Sequence, residues 1–296
     1  MMLDILSNFD WKRGIYFSSN RGSKFATRLL QKGYVKQVGV AYELNPCPPE
    51  SPLLTNEKQN FFNVEKMYAK LMKEYTFGDM ENPDVLTDYY ARRHTSNYRT
   101  DFLLLAEQLY YDGEKEKAAK VLDRSLKLMP VETVIDFGEV TGNDPITSLD
   151  MNRIRNNAYS PRTSGCLFEY VQLYALIGED KRATALGRKL LKIYESVFAY
   201  FDNSPAEFTI VPGTMNSNRD DLFAAADACF KMQRATQDLP IKKEIDAVLN
   251  NLYGKIIPKI NDELAASGIS ENLEVLHQLF KEHMSNMAAE YNFTSK

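Results

Sequence analysis

Phe102-Leu-Leu-Leu-Ala-Glu-Gln-Leu-Tyr-Tyr-Asp-Gly-Glu-Lys-Glu-Lys-Ala-Ala-Lys-Val-Leu-Asp-Arg-Ser-Leu-Lys-Leu-Met-Pro130 reads as two helices turned back on each other. Leu105, Ala106 and Leu109 give the first helix one apolar side, Gly113 supplies a turn, and Pro130 stops the second helix by removing a backbone donor. Ala118 and Ser125 place small side chains where two helices would cross closely. The pattern recurs downstream: in Leu167 to Glu195, Gly178 and Ala183 again stand five apart, with Tyr174 four residues before the glycine and no terminal proline.

A glycine turn, small crossing residues and a closing proline are the marks of a tetratricopeptide repeat, whose usual period is about 34 residues. The two glycines lie 65 positions apart, so residues 131–162 are expected to be an insertion or a degenerate repeat. Outward from the hairpin the helical spacing continues. Asn63 caps a helix carrying Val64, Met67, Tyr68, Leu71, Met72 and Tyr75 on one side, with Gly78 at its end. Asn82-Pro83-Asp84 reads as the start of another helix, with Val85, Leu86, Tyr89 and Tyr90 as its apolar side. Beyond the second copy, Asp220 to Thr236, Pro240 to Ala266 with a kink or break at Pro258, and Ser270 to Tyr291 are expected helices. Asn203 to Asn218 is expected to be a long loop, able to line a groove or to do nothing.

The N-terminal region differs. Ile15-Tyr16-Phe17 and Val38-Gly39-Val40-Ala41-Tyr42-Glu43-Leu44 are rich in aromatic and β-branched residues and read as two strands. Lys24 to Lys36 carries Phe25, Leu29, Leu30 and Tyr34 at helical spacing between them. A strand, helix, strand order favours a parallel pair. Pro46, Pro48, Pro49 and Pro52 then interrupt regular structure. The expected organisation is a small α/β unit over 1–46, a proline-rich linker over 47–60, and a helical-repeat, tetratricopeptide-like domain over 61–296, so the fold class is mostly α with a small strand-helix-strand unit.

Composition narrows the function. Of 296 residues, 44% are hydrophobic and 26% charged, which suits a globular chain with a real core. Thirty-six Lys and Arg against 40 Asp and Glu leave a net charge of −4, without the basic excess that neutralises phosphates, so nucleic acid is not an expected partner. No window approaches the ~20 apolar residues of a membrane-spanning helix, and no secretory leader pattern opens the chain. Cys47, Cys166 and Cys229 lack metal-ligand spacing and read as packing residues. His277 and His283 lie about 240° apart around a helix and cannot share a metal as an i, i+4 pair would. No glycine-rich phosphate loop, no Gly-x-Ser-x-Gly elbow and no Cys/His nucleophile pair is present. No metal, no cofactor and no catalytic residue is expected.

The candidate binding residues are Tyr89, Arg92, Arg93, His94 and Arg99. Planar guanidinium groups beside tyrosines suit a carboxylate, a phosphate or a sugar face. The bland reading is that Asp88 with Arg92 and Tyr89 with Arg93 are i, i+4 neighbours, a helix-surface ion pair and a stack. Trp11, Arg13 and Tyr16 form a smaller candidate set, for which core packing of the sole Trp is the bland alternative.

Three stretches together resemble one bacterial family: Trp11-Lys12-Arg13 with Ile15-Tyr16-Phe17; Gly39-Val40-Ala41-Tyr42-Glu43-Leu44 before Pro46; and Met67 to Pro130. The last contains Met67-Tyr68, Phe77-Gly78-Asp79-Met80, Pro83-Asp84-Val85, Asp88-Tyr89, Arg92-Arg93-His94, Arg99 and Lys117-Ala118-Ala119-Lys120-Val121-Leu122-Asp123-Arg124. They look like the C-terminal soluble part of large multi-pass membrane proteins of unknown function related to protein O-mannosyltransferases. Gly14 departs from the Pro usual there, and Lys36-Gln37 from a commonly acidic position. The resemblance implies that this chain is the periplasmic portion of a bacterial inner-membrane protein, with glycosyltransferase-like chemistry in a membrane domain of the same parent chain. On that basis the expected function is a non-catalytic interaction domain that positions a protein or glycan partner. The alternative is a carbohydrate-binding module of the cell envelope, distinguished by an exposed aromatic platform.

Overall fold

The computed structural model describes residues 2–10, 12–18, 28–29, 32, 34–45, 63–135, 167–205 and 218–266. Outside them lie the linker 47–60, Trp11, Cys47, Cys166, most of the helix expected from Lys24, most of 131–162, most of the 203–218 loop, and the helix expected over Ser270 to Tyr291. The described chain is mostly helical with a small three-stranded sheet. It divides into two compact units, residues 1–78 with 104–124, and residues 79–103 with 125 onward.

In the first unit a short helix α1, Met2–Ser7, precedes β1, Tyr16–Phe17, then β2, Val35–Val38, and β3, Ala41–Leu44. The sheet order is β1-β3-β2 and every pairing is antiparallel, Tyr16 against Glu43 and Val35 against Leu44. The parallel pair expected from strand, helix, strand is therefore corrected. The run Val38 to Leu44 is not one strand, because Gly39 takes φ +78° and opens a two-residue turn between Val38 and Ala41. A hairpin of that length needs positive φ at its first central residue, and glycine provides it without a steric penalty. Gly39 is also a place of close approach: a Cβ there would stand 2.7 Å from Tyr75 Oη. Val35 and Leu44 form one buried cluster of the unit, packed by Leu6, Ile15, Phe17, Leu29, Tyr34 and Tyr42.

Helix α2, Val64–Ala69, begins as expected at Asn63, whose side chain accepts from Lys66 N at 3.1 Å, and passes into a π-helical segment, Lys70–Glu74. Asn63 N also donates to Gln37 O, tying the helix start to β2. Met67 and Leu71 are its fully buried residues. The helix expected from Asn82 does not form there. Asn82 instead closes a turn, its Oδ1 accepting from Asp84 N and its carbonyl from Val85 N, the competing local arrangement that Asn favours. Leu86 is 96% exposed as a result. The helix starts later, capped by Asp88, whose Oδ1 accepts from Ala91 N at 2.7 Å. It then runs unbroken as α3, Tyr89–Tyr111, so the two helices expected over 82–111 are one.

The chain turns back at Gly113 into α4, Lys115–Leu128. Gly113 has φ +84°, Glu114 N donates to Leu109 O, and Gly113 N to Tyr110 O. These are the two bonds of a Schellman C-cap. The same device joins α5, Leu167–Ile177, to α6, Asp180–Asn203: Gly178 has φ +94°, Glu179 N donates to Tyr174 O and Gly178 N to Ala175 O. Each turn is followed by an i, i+3 ion pair, Glu114 with Lys117 and Glu179 with Arg182. Ala106, Ala118 and Ala183 are all completely buried.

In the second unit α7, Asn218–Ala235, packs on both α5 and α6. Helix α8, Lys242–Asn251, continues through a π-helical segment, Leu252–Ile256, into α9, Ile257–Ala266. Pro258 thus neither breaks nor ends the helix. The widened turn before it absorbs the donor that proline lacks. Cys229 is fully buried on α7, and burial pushes its thiol pKa up, so it stays a packing residue. No described helix is long and apolar enough to cross a membrane.

Candidate functional site

The expected Arg and Tyr cluster occupies the first three turns of α3 and is divided by depth. Arg92 and His94 are exposed, while Arg99 is completely buried. Tyr89 and Arg93 belong to the helix backbone, and their side chains lie outside the described set. Asp88 spends an oxygen on the helix cap. Arg99 Nη2 donates to Met129 O at 2.5 Å and to Val134 O at 2.7 Å, the carbonyls at the end of α4 and in the turn beyond it. A guanidinium held by two main-chain carbonyls inside the fold presents no face to a ligand. Tyr170 of α5 adds a third link, donating from Oη to Arg99 O at 2.7 Å. Ser125 Oγ stands 2.9 Å from Tyr170 Oη and is the donor there, since the phenol proton is already engaged.

Of the smaller set, Arg13 is exposed and Tyr16 half-exposed on β1. Tyr16 Oη donates to Glu43 Oε1 at 3.0 Å, and Glu43 Oε2 receives Lys66 Nζ at 2.6 Å. The hydrogen bond to the carboxylate raises the phenol pKa, with the charge of Glu43 adding to it. The trio links β1, β3 and α2 at the surface. The exposed rings Tyr16, Tyr90, Tyr111 and Tyr200 are spread over β1, the two ends of α3, and α6.

A cleft of about 610 Å³ between α6 and α8 was not singled out by the sequence. Along α6, Arg188, Lys192, Glu195, Ala199 and Asp202 recur at i, i+4, i+7, i+11 and i+14 and line one wall. Glu244, Ala247, Val248 and Asn251 line the other, and Leu191, Phe198 and Ile256 form the buried floor. An ion pair crosses each end. Arg188 grips Glu244 with Nε 3.1 Å from Oε2 and Nη2 2.7 Å from Oε1, a bidentate contact that planar guanidinium favours. Asp202 receives Lys255 Nζ at 2.8 Å, with Lys259 also close. Because early residues pair with early and late with late, α6 and α8 run parallel. The hydrogen bond from Arg188 lowers the Glu244 pKa, and that from Lys255 lowers that of Asp202. Lys192 and Glu195, in the middle, are exposed and make no ion pair among the described residues.

Among the described residues no group of His, Cys, Asp and Glu is arranged to hold a metal ion. Comparison with known families bears on the N-terminal unit. Residues 1–66 match the family model described as TMEM260-associated domain 2. The match spans the antiparallel sheet and the first residues of α2, includes Arg13 and Tyr16, and suggests a TMEM260-related family. No curated protein and no solved structure matches the chain.

Proposed function

We propose that this chain is a non-catalytic, tetratricopeptide-like interaction domain of a bacterial membrane glycosyltransferase-like protein, on its periplasmic side, where paired helices position a protein partner or an acceptor. The observation that carries the reading is the repeated hairpin. Gly113 and Gly178 close with the same two hydrogen bonds and the same following ion pair, and each is followed five residues later by a completely buried alanine. Stacked helix pairs of this kind bury a continuous core and leave long surfaces for partners. Arg92 and His94 on α3 and the open cleft beside α6 are such surfaces. The match of residues 1–66 to a domain described as associated with TMEM260 also suits an accessory part of a larger protein.

The test has two arms. The purified chain should turn over no nucleotide-sugar, polyprenyl-phosphate sugar or glycoside. The longer membrane protein should lose partner contact when Arg92→Ala and Arg93→Ala are combined, with the stability of the variant unchanged. Turnover by the chain alone would overturn the reading.

A further inference from the structure

We propose that the N-terminal segment, residues 1–45, rests on the surface of an anionic phospholipid bilayer through the side of its sheet that α1 and the turn at 28–32 cover. The inference goes beyond the interaction-domain reading and holds whether or not the helical hairpins bind a partner. Charge, layering and an exposed apolar side chain carry it.

Charge is unevenly shared along the chain. Residues 1–45 contain four Lys and three Arg against two Asp and one Glu, a net +4, which leaves −8 on residues 46–296. Clusters of roughly four to eight Lys and Arg are what an anionic leaflet attracts, each adding to the attraction near the surface. Arg13, Arg28 and Lys32 are exposed and pair with no acid among the described residues. Lys12 is exposed too, with Asp10 3.6 Å away.

Layering sorts those charges. Paired residues point the same way and side chains alternate along a strand. Phe17, Tyr42, Leu44 and Val35 therefore share one face of the sheet, and Tyr16, Glu43 and Lys36 the other. Glu43 is held on its face by Tyr16 and by Lys66 of α2. Leu6 of α1 and Leu29 both pack on the Val35 and Leu44 cluster, so α1 and the chain at 28–32 together cover the opposite face. Lys32 N donates to Arg28 O at 3.1 Å, and one helical turn sets these two exposed cations on the same side. The outer surface of this layer offers Arg28, Lys32 and Ile5, the last 50% exposed, against Asp4 as the one acid among its described residues.

A bilayer suits that surface better than a small ligand does. Cations spread over a layer attract a diffuse negative surface, and an exposed isoleucine gains by entering the apolar level beneath the headgroups.

Cosedimentation of the 296-residue chain with vesicles tests the proposal, using phosphatidylcholine alone and phosphatidylcholine with an equal part of phosphatidylglycerol. The chain should pellet with the anionic vesicles and not with the neutral ones. Its partition should fall at least about tenfold between about 50 mM and about 500 mM salt. Arg28→Gln with Lys32→Gln should weaken partition about tenfold and Ile5→Ser about fivefold, all at exposed positions. Lys120→Gln with Lys127→Gln, two exposed cations of α4, should leave it unchanged. No binding to the anionic vesicles, equal binding to the neutral ones, full binding by the Arg28 and Lys32 variant, or an equal loss in the α4 variant would each overturn the proposal. Displacement by millimolar glycerol phosphate at constant ionic strength would assign a site for a single headgroup and overturn it as well. Loss of partner contact in the Arg92 and Arg93 variant would leave the interaction-domain reading standing in any of those cases.

Discussion

Tyr170 Oη donates to the main-chain carbonyl of Arg99 at 2.7 Å, while the Arg99 side chain holds the carbonyls of Met129 and Val134. One residue of α3 thus takes part from both its backbone and its side chain in joining the end of the first hairpin to the start of the second. Tyr170→Phe removes the phenol, taking one donor from the buried Arg99 carbonyl and the acceptor from the buried Ser125 hydroxyl, at an expected cost of ~1–3 kcal/mol. Arg99→Met keeps much of the volume but abandons two carbonyls, and should cost more than Tyr170→Phe. Urea denaturation midpoints of the two variants check the order. A smaller loss for Arg99→Met would show that the carbonyls find other donors.

Overpacking tests the equivalence of the two hairpins. Ala118 and Ala183 are both completely buried, five residues after their turn glycines. Ala118→Leu and Ala183→Leu should each lower stability by ~1–3 kcal/mol, read from thermal or denaturant melts. An unchanged midpoint for either would mean that its crossing has room to spare.

The hairpin of β2 and β3 depends on Gly39. Alanine at φ +78° carries a left-handed backbone penalty of ~1–2 kcal/mol, and its Cβ would press on the Tyr75 ring. Gly39→Ala should therefore destabilise by at least that amount. A near-neutral melt would contradict the turn geometry.

The ion pairs at the ends of the cleft give a pH dependence with a definite sign. Glu244 and Asp202 have carboxyl pKa values lowered by Arg188 and Lys255, so they stabilise the fold above the ordinary carboxylate value of about 4. That contribution is lost as pH falls through their lowered folded-state values. The Arg188 pair is solvent-exposed and the Asp202 pair partly so, so the effect is small and screened by salt. Glu244→Gln should flatten the acid limb of the stability profile slightly, and the difference should shrink in 1 M salt. A steeper acid limb in the variant would reverse the sign.

How much of this was legible depended on distance along the chain. The turns at Gly113 and Gly178 could be read because the glycine, the small residues and the helical spacing all lie within one hairpin. The strand at Tyr16-Phe17 could be read too, but the antiparallel pairing could not, since Val38 to Leu44 has the composition of one strand and only the backbone at Gly39 shows a turn within it. Asn82-Pro83-Asp84 has the residues of a helix start, but the side chain of Asn82 served a turn and Asp88 took the cap. Arg99 looked like its neighbours Arg92 and Arg93. Its partners Met129 and Val134 lie 30 and 35 residues away, beyond any local pattern. The cleft has a readable stripe on α6, yet its facing wall is set by Arg188 meeting Glu244 across 56 residues.

The account stands on the claim that these helices bind and do not catalyse. Mass spectrometry of a polyprenyl-phosphate sugar and an acceptor peptide incubated with the purified chain tests the second half directly. The account predicts no glycosylated product. A glycosylated peptide formed at catalytic amounts of chain would contradict it.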